Sequence, residues 1–408
     1  MKRIVITGVG MTTALGLGAP ATWESLVAGR SGVRAPRNWP GREMHVHGVG
    51  ELPQEIEEQA CKDLDHLLRK RTDRFAAISL VTATEAIAHA RAGGGAIDPD
   101  RIGVITGIGL GSPRTEDGEK VGPTTVLRRM PNAAAGWIAI EHGLRGGSFN
   151  VASACASGAH AIGQAVDAIR LGRMDACVAG GADMLSVPDV IKAFASMRAV
   201  NDANDPPERL SRPFDAKRRG FVMAEGAGYV VLETLEGALA RGVTPIAELA
   251  GWGMSTDAHH IVAPAPDGSG GARAIREALR DAGLAPEDVD YVSAHGTSTQ
   301  LNDKGETLAI KSAFGAHARR LAISSQKSML GHTLGGAGAI EAAVTALSLA
   351  HQIATPTINL EHPDPECDLD YVPGAARRMA MRAAISNAFG FGGHNCVLAL
   401  RRYEPTRA

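Results

Sequence analysis

Short runs of β-branched and other apolar residues recur along the chain, separated by stretches in which apolar positions return every three or four residues. The runs at 4–6, 102–105, 177–179 and 228–232 predict strands, and the stretches at 75–90 and 159–171 predict helices. Near residue 243 the pattern restarts with a strand at 246–250, a helix at 272–282, a strand at 289–292, a helix at 306–314 and a strand at 321–324. Alternation of this kind predicts an α/β fold, and the restart predicts two halves of related design, 1–245 and 246–408. Residues 384–400 read as strand, glycine-rich turn and strand, a terminal hairpin whose turn can bring backbone close to a ligand. The Pro, Gly and Arg content of 31–50 predicts a surface excursion.

Composition sharpens this picture. With 408 residues, 44% of them hydrophobic and 21% charged, the chain can build two core-bearing units, and its 49 glycines with only 4% aromatics favour helices packed closely on sheets. A formal net charge of −2 gives no global field for nucleic acid, so a charged partner must meet a local patch. Five cysteines, scattered and odd in number, predict neither a disulfide framework nor a zinc site, and hence a reducing compartment. The apolar start is broken by Thr7 and Gly8, unlike a signal peptide, and no stretch has the length of a membrane span. A cytoplasmic protein is expected.

Candidate chemistry lies at four glycine- or serine-rich junctions, each following a predicted strand. They carry Cys155 in Asn150-Val-Ala-Ser-Ala-Cys-Ala-Ser-Gly, His295 in Ala294-His-Gly-Thr-Ser-Thr, Lys327 and His332 in Lys327-Ser-Met-Leu-Gly-His, and the turn Phe389-Gly-Phe391-Gly-Gly. A cysteine where a strand turns sharply into a helix meets the positive end of the helix dipole, which favours the thiolate; the same segment also fits a buried structural cysteine. Loops at the ends of several strands converge on one edge of a layered α/β protein, so one cysteine and two histidines there make a nucleophile with two hydrogen-bond donors. Other features are weaker. The run Thr106-Gly-Ile-Gly-Leu-Gly-Ser112 imitates a dinucleotide fingerprint but lacks the third glycine at the right spacing. The pairs His45/His47 and His259/His260 have no partner at a metal-binding interval, so surface histidines are expected, with no metal and no cofactor.

Taken together these segments strongly resemble the β-ketoacyl-acyl carrier protein synthases, condensing enzymes of the type II bacterial pathway, and most closely the synthase II type. The resemblance spans essentially the whole chain and also includes Gly180-Gly-Ala-Asp, Arg212-Pro-Phe-Asp, Gly220-Phe-Val-Met-Ala-Glu-Gly-Ala-Gly, Pro356-Thr-Ile-Asn-Leu and Asn387-Ala-Phe-Gly-Phe-Gly-Gly-His-Asn. It implies a thiolase-like fold, two halves in five α-β-α-β-α layers, working as a homodimer. It implies 3-oxoacyl-acyl carrier protein synthesis in fatty acid formation: Cys155 takes an acyl chain from acyl carrier protein as a thioester, and a malonyl thioester loses CO₂ and attacks it. By the same resemblance His295 and His332 stabilise the enolate, the N–H groups of Cys155 and Phe391 form an oxyanion hole, and Lys327 pairs with Glu341 in support.

Further roles follow from the resemblance. Thr297 and Thr299 would bind the phosphopantetheine arm, Phe391 beside Phe389 would act as a gate facing 255–260, and Leu110 would limit the acyl pocket near the dimer interface. The basic cluster Arg69, Lys70 and Arg74, with Arg128 and Arg129, is the expected docking face for an acidic carrier protein. Three departures from the usual pattern, Gln326, Leu330 and Gln300, raise the alternative of a dedicated polyketide or secondary-product ketosynthase. A non-catalytic chain-length-factor-like partner, met in a heterodimer with an active synthase, is opposed by Cys155. A thiolase would carry a second catalytic cysteine, and starter-type synthases use Cys-His-Asn.

Overall fold

The computed structural model describes residues 2–37, 46–92, 94–113 and 122–405. The first part of the chain supplies β1 (Ile4–Thr13), β2 (Gly16–Leu17), β3 (Ile102–Gly107), β4 (Ser148–Val151), β5 (Ala176–Met184) and β6 (Glu225–Thr234). The second supplies β7 (Ala247–Thr256), β8 (Val289–Ser293), β9 (Ala322–Ser324), β10 (Ile353–Ala354), β11 (Arg377–Arg378), β12 (Ala383–Gly390) and β13 (His394–Arg402). Strand order reads β4-β3-β5-β6-β1 and continues β7-β13-β12-β8-β9, the two sets meeting where Ile4 pairs with Leu249. Read inward from each edge the sets match. Two parallel pairings (β4-β3-β5 and β9-β8-β12) are followed by two antiparallel ones (β5-β6-β1 and β12-β13-β7).

The helices sort into three layers. Arg74–Arg91 and Ala133–His142 cover the outer face of the first set, and Ser269–Ala282 and Gln300–Phe314 cover the outer face of the second. Ser157–Arg170 and Ala337–His351 lie between the two sets and touch both. Three apolar clusters fill the spaces so made, the central one containing Ile162, Val166, Ile340 and Val344. The result is the five-layered, thiolase-like α/β arrangement, with strands buried on both faces, which is why β1 and β5 read as continuous apolar and small-residue runs.

The two central helices approach closely because their contact is built of the smallest residues. A Cβ on Gly158 would sit 2.9 Å from the Cβ of Ala339, and one on Gly338 would sit 2.9 Å from that of Ala159. Either substitution forces the layers apart, and both helices begin at the site described next. No helix among the described residues is long and apolar enough to cross a membrane.

Candidate active site

Cys155 owes its position to a local kink. Ala154 holds φ at 51°, a left-handed conformation that costs a non-glycine residue about 1 kcal/mol or more. Ser157 sustains it: its hydroxyl accepts from the Ser153 N–H (2.9 Å) and donates to the Ala154 carbonyl (2.7 Å). The thiol is thereby presented just ahead of the helix Ser157–Arg170, in the wall of a cavity of about 290 Å³. The N–H groups of Cys155 and Phe391 both act on its sulfur, each favouring the thiolate. The close approach of the terminal turn requires glycine at 390, where a Cβ would fall 2.7 Å from the Ser153 carbonyl oxygen.

His295 follows β8, and its loop is clamped by a buried carboxylate. Glu306 accepts from the N–H groups of His295 (2.8 Å) and Gly296 (2.7 Å), and from Asn387 Nδ2 (2.9 Å). Lys327 Nζ, ion-paired with buried Glu341, stands 3.3 Å from His295 Nδ1. An ammonium can only donate, so Nδ1 is the acceptor and the ring carries its proton on Nε2. His332 is fixed through its main chain, which donates to Val222 O (2.7 Å) and accepts from Ala224 N (2.9 Å). Its ring meets His295 and Phe221 edge-on, each with centroids 5.3 Å away, and neither ring nitrogen has a hydrogen-bond partner among the described residues. One ligating atom from each of Cys155, His295 and His332 can be chosen so that all lie within 4.8 Å of one another.

Burial governs the charges here. It holds both histidines well below the usual imidazole range, reinforced by the Lys327 charge, so they are neutral hydrogen-bonding groups. Burial also pushes Glu341 up to about 7 against the pull of Lys327. It pushes the Cys155 thiol up to about 11, over the opposing pull of the two N–H groups and Lys327. The expectation that the helix end would favour a thiolate is therefore corrected: in the unliganded pocket desolvation wins and the resting group is a thiol.

The cavity gathers most of the expected residues. Thr297, Thr299, Phe389 and Phe391 line it with the reactive trio. The two threonine hydroxyls lie 3.0 Å apart, and Thr299 also caps the helix Gln300–Phe314 by accepting from the Asn302 N–H. The Phe391 turn rests on the facing loop, with Gly392 N–H donating to Ile261 O (2.8 Å) and Asn395 Nδ2 to Asp257 (2.7 Å). His260 is exposed, as expected of a surface histidine, and stands at the cavity mouth, where its Nδ1 accepts from the N–H groups of Val262 and Ala263. Of the other histidines set aside, His45 lies outside the described residues.

Other expectations fall elsewhere. Arg74 is no docking residue: its guanidinium is occupied by Glu57 and Glu225, each at 2.7 Å, with Glu225 buried. Arg69, Lys70 and Arg129 are exposed and Arg128 half-buried; none lines the cavity. Leu110 does not line it either and is 54% exposed in the single chain. The N–H groups of Leu110 and Gly111 donate to Asp183, which also accepts from Gly335 N–H (2.7 Å), so the amides of the glycine run that imitates a nucleotide loop are already taken by an internal carboxyl group. Gln326 does not face the cavity: it is buried in a polar cluster with Tyr291, Ser293 and Thr355. Leu330 packs in the central core, leaving Gln300 as the one departure at the cavity mouth.

Sequence reasoning missed the clamps Glu306, Asn387 and Asp183, although two of them stand inside the quoted motifs. It also missed the excursion between β5 and β6, which lines the cavity with Phe221, backs Phe391 with Phe194 stacked at 6.1 Å, and brings Arg198 and Arg219 to the cavity mouth. The stretch does carry a helical period, Val187, Val190, Ile191 and Phe194 around the helix Pro188–Ser196, but a buried face in sequence does not show that it lies over a cavity.

Comparison with known proteins agrees with the geometry. Residues 1–238 match the family profile described as β-ketoacyl synthase, N-terminal domain, and residues 246–361 the corresponding C-terminal domain. The chain is 43% identical over 413 residues, 99% of each sequence, to a 3-oxoacyl-[acyl-carrier-protein] synthase 2 of Synechocystis sp.. It is 40% identical to the synthase 2 of Coxiella burnetii over 98% of this chain and 99% of that one. Among solved structures, a β-ketoacyl synthase from Burkholderia phymatum superposes with a TM-score of 0.91 at 37% identity, over 99% of this chain and 100% of the other. A ketosynthase complexed with its type II polyketide acyl carrier protein gives 0.88 at 30% identity with the same coverage.

Proposed function

Since this chain belongs to the β-ketoacyl synthase family, we propose that it is a 3-oxoacyl-acyl carrier protein synthase of fatty acid formation, with roles divided among its residues as follows. The supporting observation is the convergence of the Cys155 sulfur, two amide N–H groups and two neutral imidazoles at one cavity wall. In loading, Cys155 attacks the acyl thioester, the carbon–sulfur bond to the carrier arm breaks, and the thiol proton leaves with the departing arm thiol. The N–H groups of Cys155 and Phe391 stabilise the oxyanion of that step. In condensation, the malonyl thioester releases CO₂ and its enolate oxygen takes hydrogen bonds from His295 Nε2–H and His332. The enolate carbon then forms a bond to the acyl carbonyl, and Cys155 leaves as a thiolate that takes a proton from solvent to regain the resting thiol. Lys327 and Glu341 support this by fixing the His295 tautomer, while Thr297 and Thr299 bind the arm.

The domain division follows the strand sets, 1–245 and 246–408, and the protein works as a homodimer in the cytoplasm. β4 is an unpaired sheet edge, and Leu110, Phe149, Ile140 and Leu127 are exposed apolar side chains on β4, on elements packed near it or on the loop after β3. A second copy covering that face would bury Leu110 and give it the pocket-limiting role. The carrier protein, acidic and partly apolar, fits the mouth, where Arg198 and Arg219 stand with Met197 and Leu301. The fatty acid reading is favoured over the polyketide one by the 40–43% identities to synthases 2, against 30% for the polyketide ketosynthase. Incubation with acyl and malonyl carrier proteins, followed by mass analysis, should yield a 3-oxoacyl product two carbons longer than the acyl chain supplied. Absence of that product with every chain length tested would sink the reading.

A further inference from the structure

The trio in the cavity wall has a second chemistry. A tetrahedral zinc ion with Zn–S about 2.3 Å and Zn–N about 2.0–2.1 Å sets its donor atoms roughly 3.3–3.6 Å apart. The nearest atoms of Cys155, His295 and His332 already lie within 4.8 Å of one another, so modest side-chain rotation closes the set. An independent sign comes from His332, which is 2% exposed with both ring nitrogens lacking a partner among the described residues. Nothing holds its tautomer, so it can offer the cavity a lone pair as readily as an N–H. The open pocket leaves a fourth direction for water, the pattern of an open zinc site. The intervals between 155, 295 and 332 are far outside any metal-motif spacing, which is why no metal motif is visible in the sequence.

We propose that the unliganded site binds one soft divalent cation of the zinc class as a reversible inhibitor. Cys155 ligates as thiolate, releasing its thiol proton to solvent, and the two histidines each give one ring nitrogen; His295 gives Nε2, whose proton exchanges through solvent to Nδ1, which then no longer accepts from Lys327. Two nitrogens and a sulfur select against magnesium and calcium, which take oxygen ligands. The ion occupies the electron pair that Cys155 needs for acylation, so metal and acyl chain exclude each other. Lys327 opposes the ion twice: its ammonium lies beside the site, and it keeps a proton on the His295 nitrogen that must ligate.

The metal titration uses the intact protein without substrate, so its outcome is independent of the condensing activity, on which only the loading readout rests. Titration with Co²⁺ as the spectroscopic substitute for zinc should give one bound ion per chain, a sulfur-to-metal charge-transfer band in the near ultraviolet and intense tetrahedral bands in the visible. Zinc should displace the cobalt and block acyl loading, and a chelator should restore loading. Alkylation of Cys155 in the wild-type protein should abolish the sulfur band, and His332→Ala should weaken binding roughly tenfold or more. Lys327→Ala should tighten it, a direction that general damage to the fold does not produce. Cobalt bound without a sulfur band, or binding indifferent to alkylation and to His332→Ala, would overturn the proposal.

Discussion

The two strand sets provide the same scaffold and mount different chemistry on it. Beyond β4 the chain kinks at Ala154 and enters its central helix within a few residues, presenting a sulfur beside backbone amides. Beyond β9, the matching strand, it passes through the short helix Lys327–Leu330 and a turn at Gly331 before Ala337–His351, presenting an ammonium and an imidazole. The loop after β3 spends its amides on Asp183, whereas the loop after β8 displays His295 over Glu306. β12 and β13 are joined by the tight Phe391 turn, while β5 and β6 are joined by the long roof over the cavity. Under the proposed roles, one set carries the group that makes and breaks the covalent bond, and the other the donors that stabilise the charge developed on the malonyl group. A buried-charge framework around Lys327, Glu341 and Glu306 surrounds the second function, and the first has only the kink and the amides.

Removing the covalent function should produce the largest effect. Cys155→Ala should show no acyl-enzyme by intact-protein mass spectrometry and no condensation, because no other group in the cavity can form the intermediate. Cys155→Gln should leave malonyl decarboxylation intact or faster, since an amide imitates the acylated state while both histidines remain; CO₂ release reads this directly. If decarboxylation vanished with loading, the division between the sets would fail.

Damage to the donor side should be smaller and selective. His295→Ala and His332→Ala should each slow decarboxylation by roughly a hundred- to a thousand-fold, about 2.7–4 kcal/mol, the usual cost of one oxyanion donor. Single-turnover loading of Cys155 should be much less affected. Collapse of loading with decarboxylation preserved would reverse the two assignments.

What the sequence could and could not reveal follows the same physics. The outer helices over 75–90, 272–282 and 306–314 were legible because one-sided burial leaves a period, the strands because burial on both faces leaves a continuous apolar run, and the terminal hairpin because glycine marks its turn. The central helix Ala337–His351 left none: it is buried on nearly all sides, so its apolar and small residues show no face, and Glu341 is its sole charge. Cys155, His295, His332 and Lys327 stood out as reactive groups at glycine-rich junctions. Glu306 and Asp183 did not, since a carboxylate that binds backbone amides looks like any other acid until the fold brings those amides to it. The docking cluster misled for a related reason: Arg74 looks like its neighbours in sequence, but its partners Glu57 and Glu225 are remote along the chain.

That difference among the arginines is open to measurement. Arg198→Glu and Arg219→Glu should raise KM for acyl carrier protein by roughly tenfold at low salt, less at high salt, and leave small pantetheine thioesters nearly unaffected. Arg74→Ala should affect both substrates alike through lost stability, on the order of 2 kcal/mol. That is below the 3–5 kcal/mol typical of a fully buried pair because Arg74 is partly open to solvent. Selective loss of carrier-protein use in Arg74→Ala would return the docking face to the helix it begins.

The smallest effect concerns the loop after β3, the counterpart of the one carrying His295. Burial pushes Asp183 up to about 7 despite the amides it accepts, from an ordinary value of 3.8. Between those values the folded protein holds a proton that the unfolded chain has lost, so the stability contributed by this group is full below about pH 4 and declines as pH rises through 7. Asp183→Asn has no such slope, and its amide nitrogen cannot accept from Gly335, so it should be less stable than the wild type, with the gap widest in acid and narrowing toward neutrality. Glu341, whose carboxyl is raised in the same direction, and the two buried histidines, which act in the opposite one, are present in both proteins and cancel in the difference. Denaturant midpoints at about pH 5 and pH 8 measure the gap. If it widened with rising pH, the amides would have outweighed burial, and Asp183 would be a fixed anion holding its loop as firmly as Glu306 holds the loop of His295.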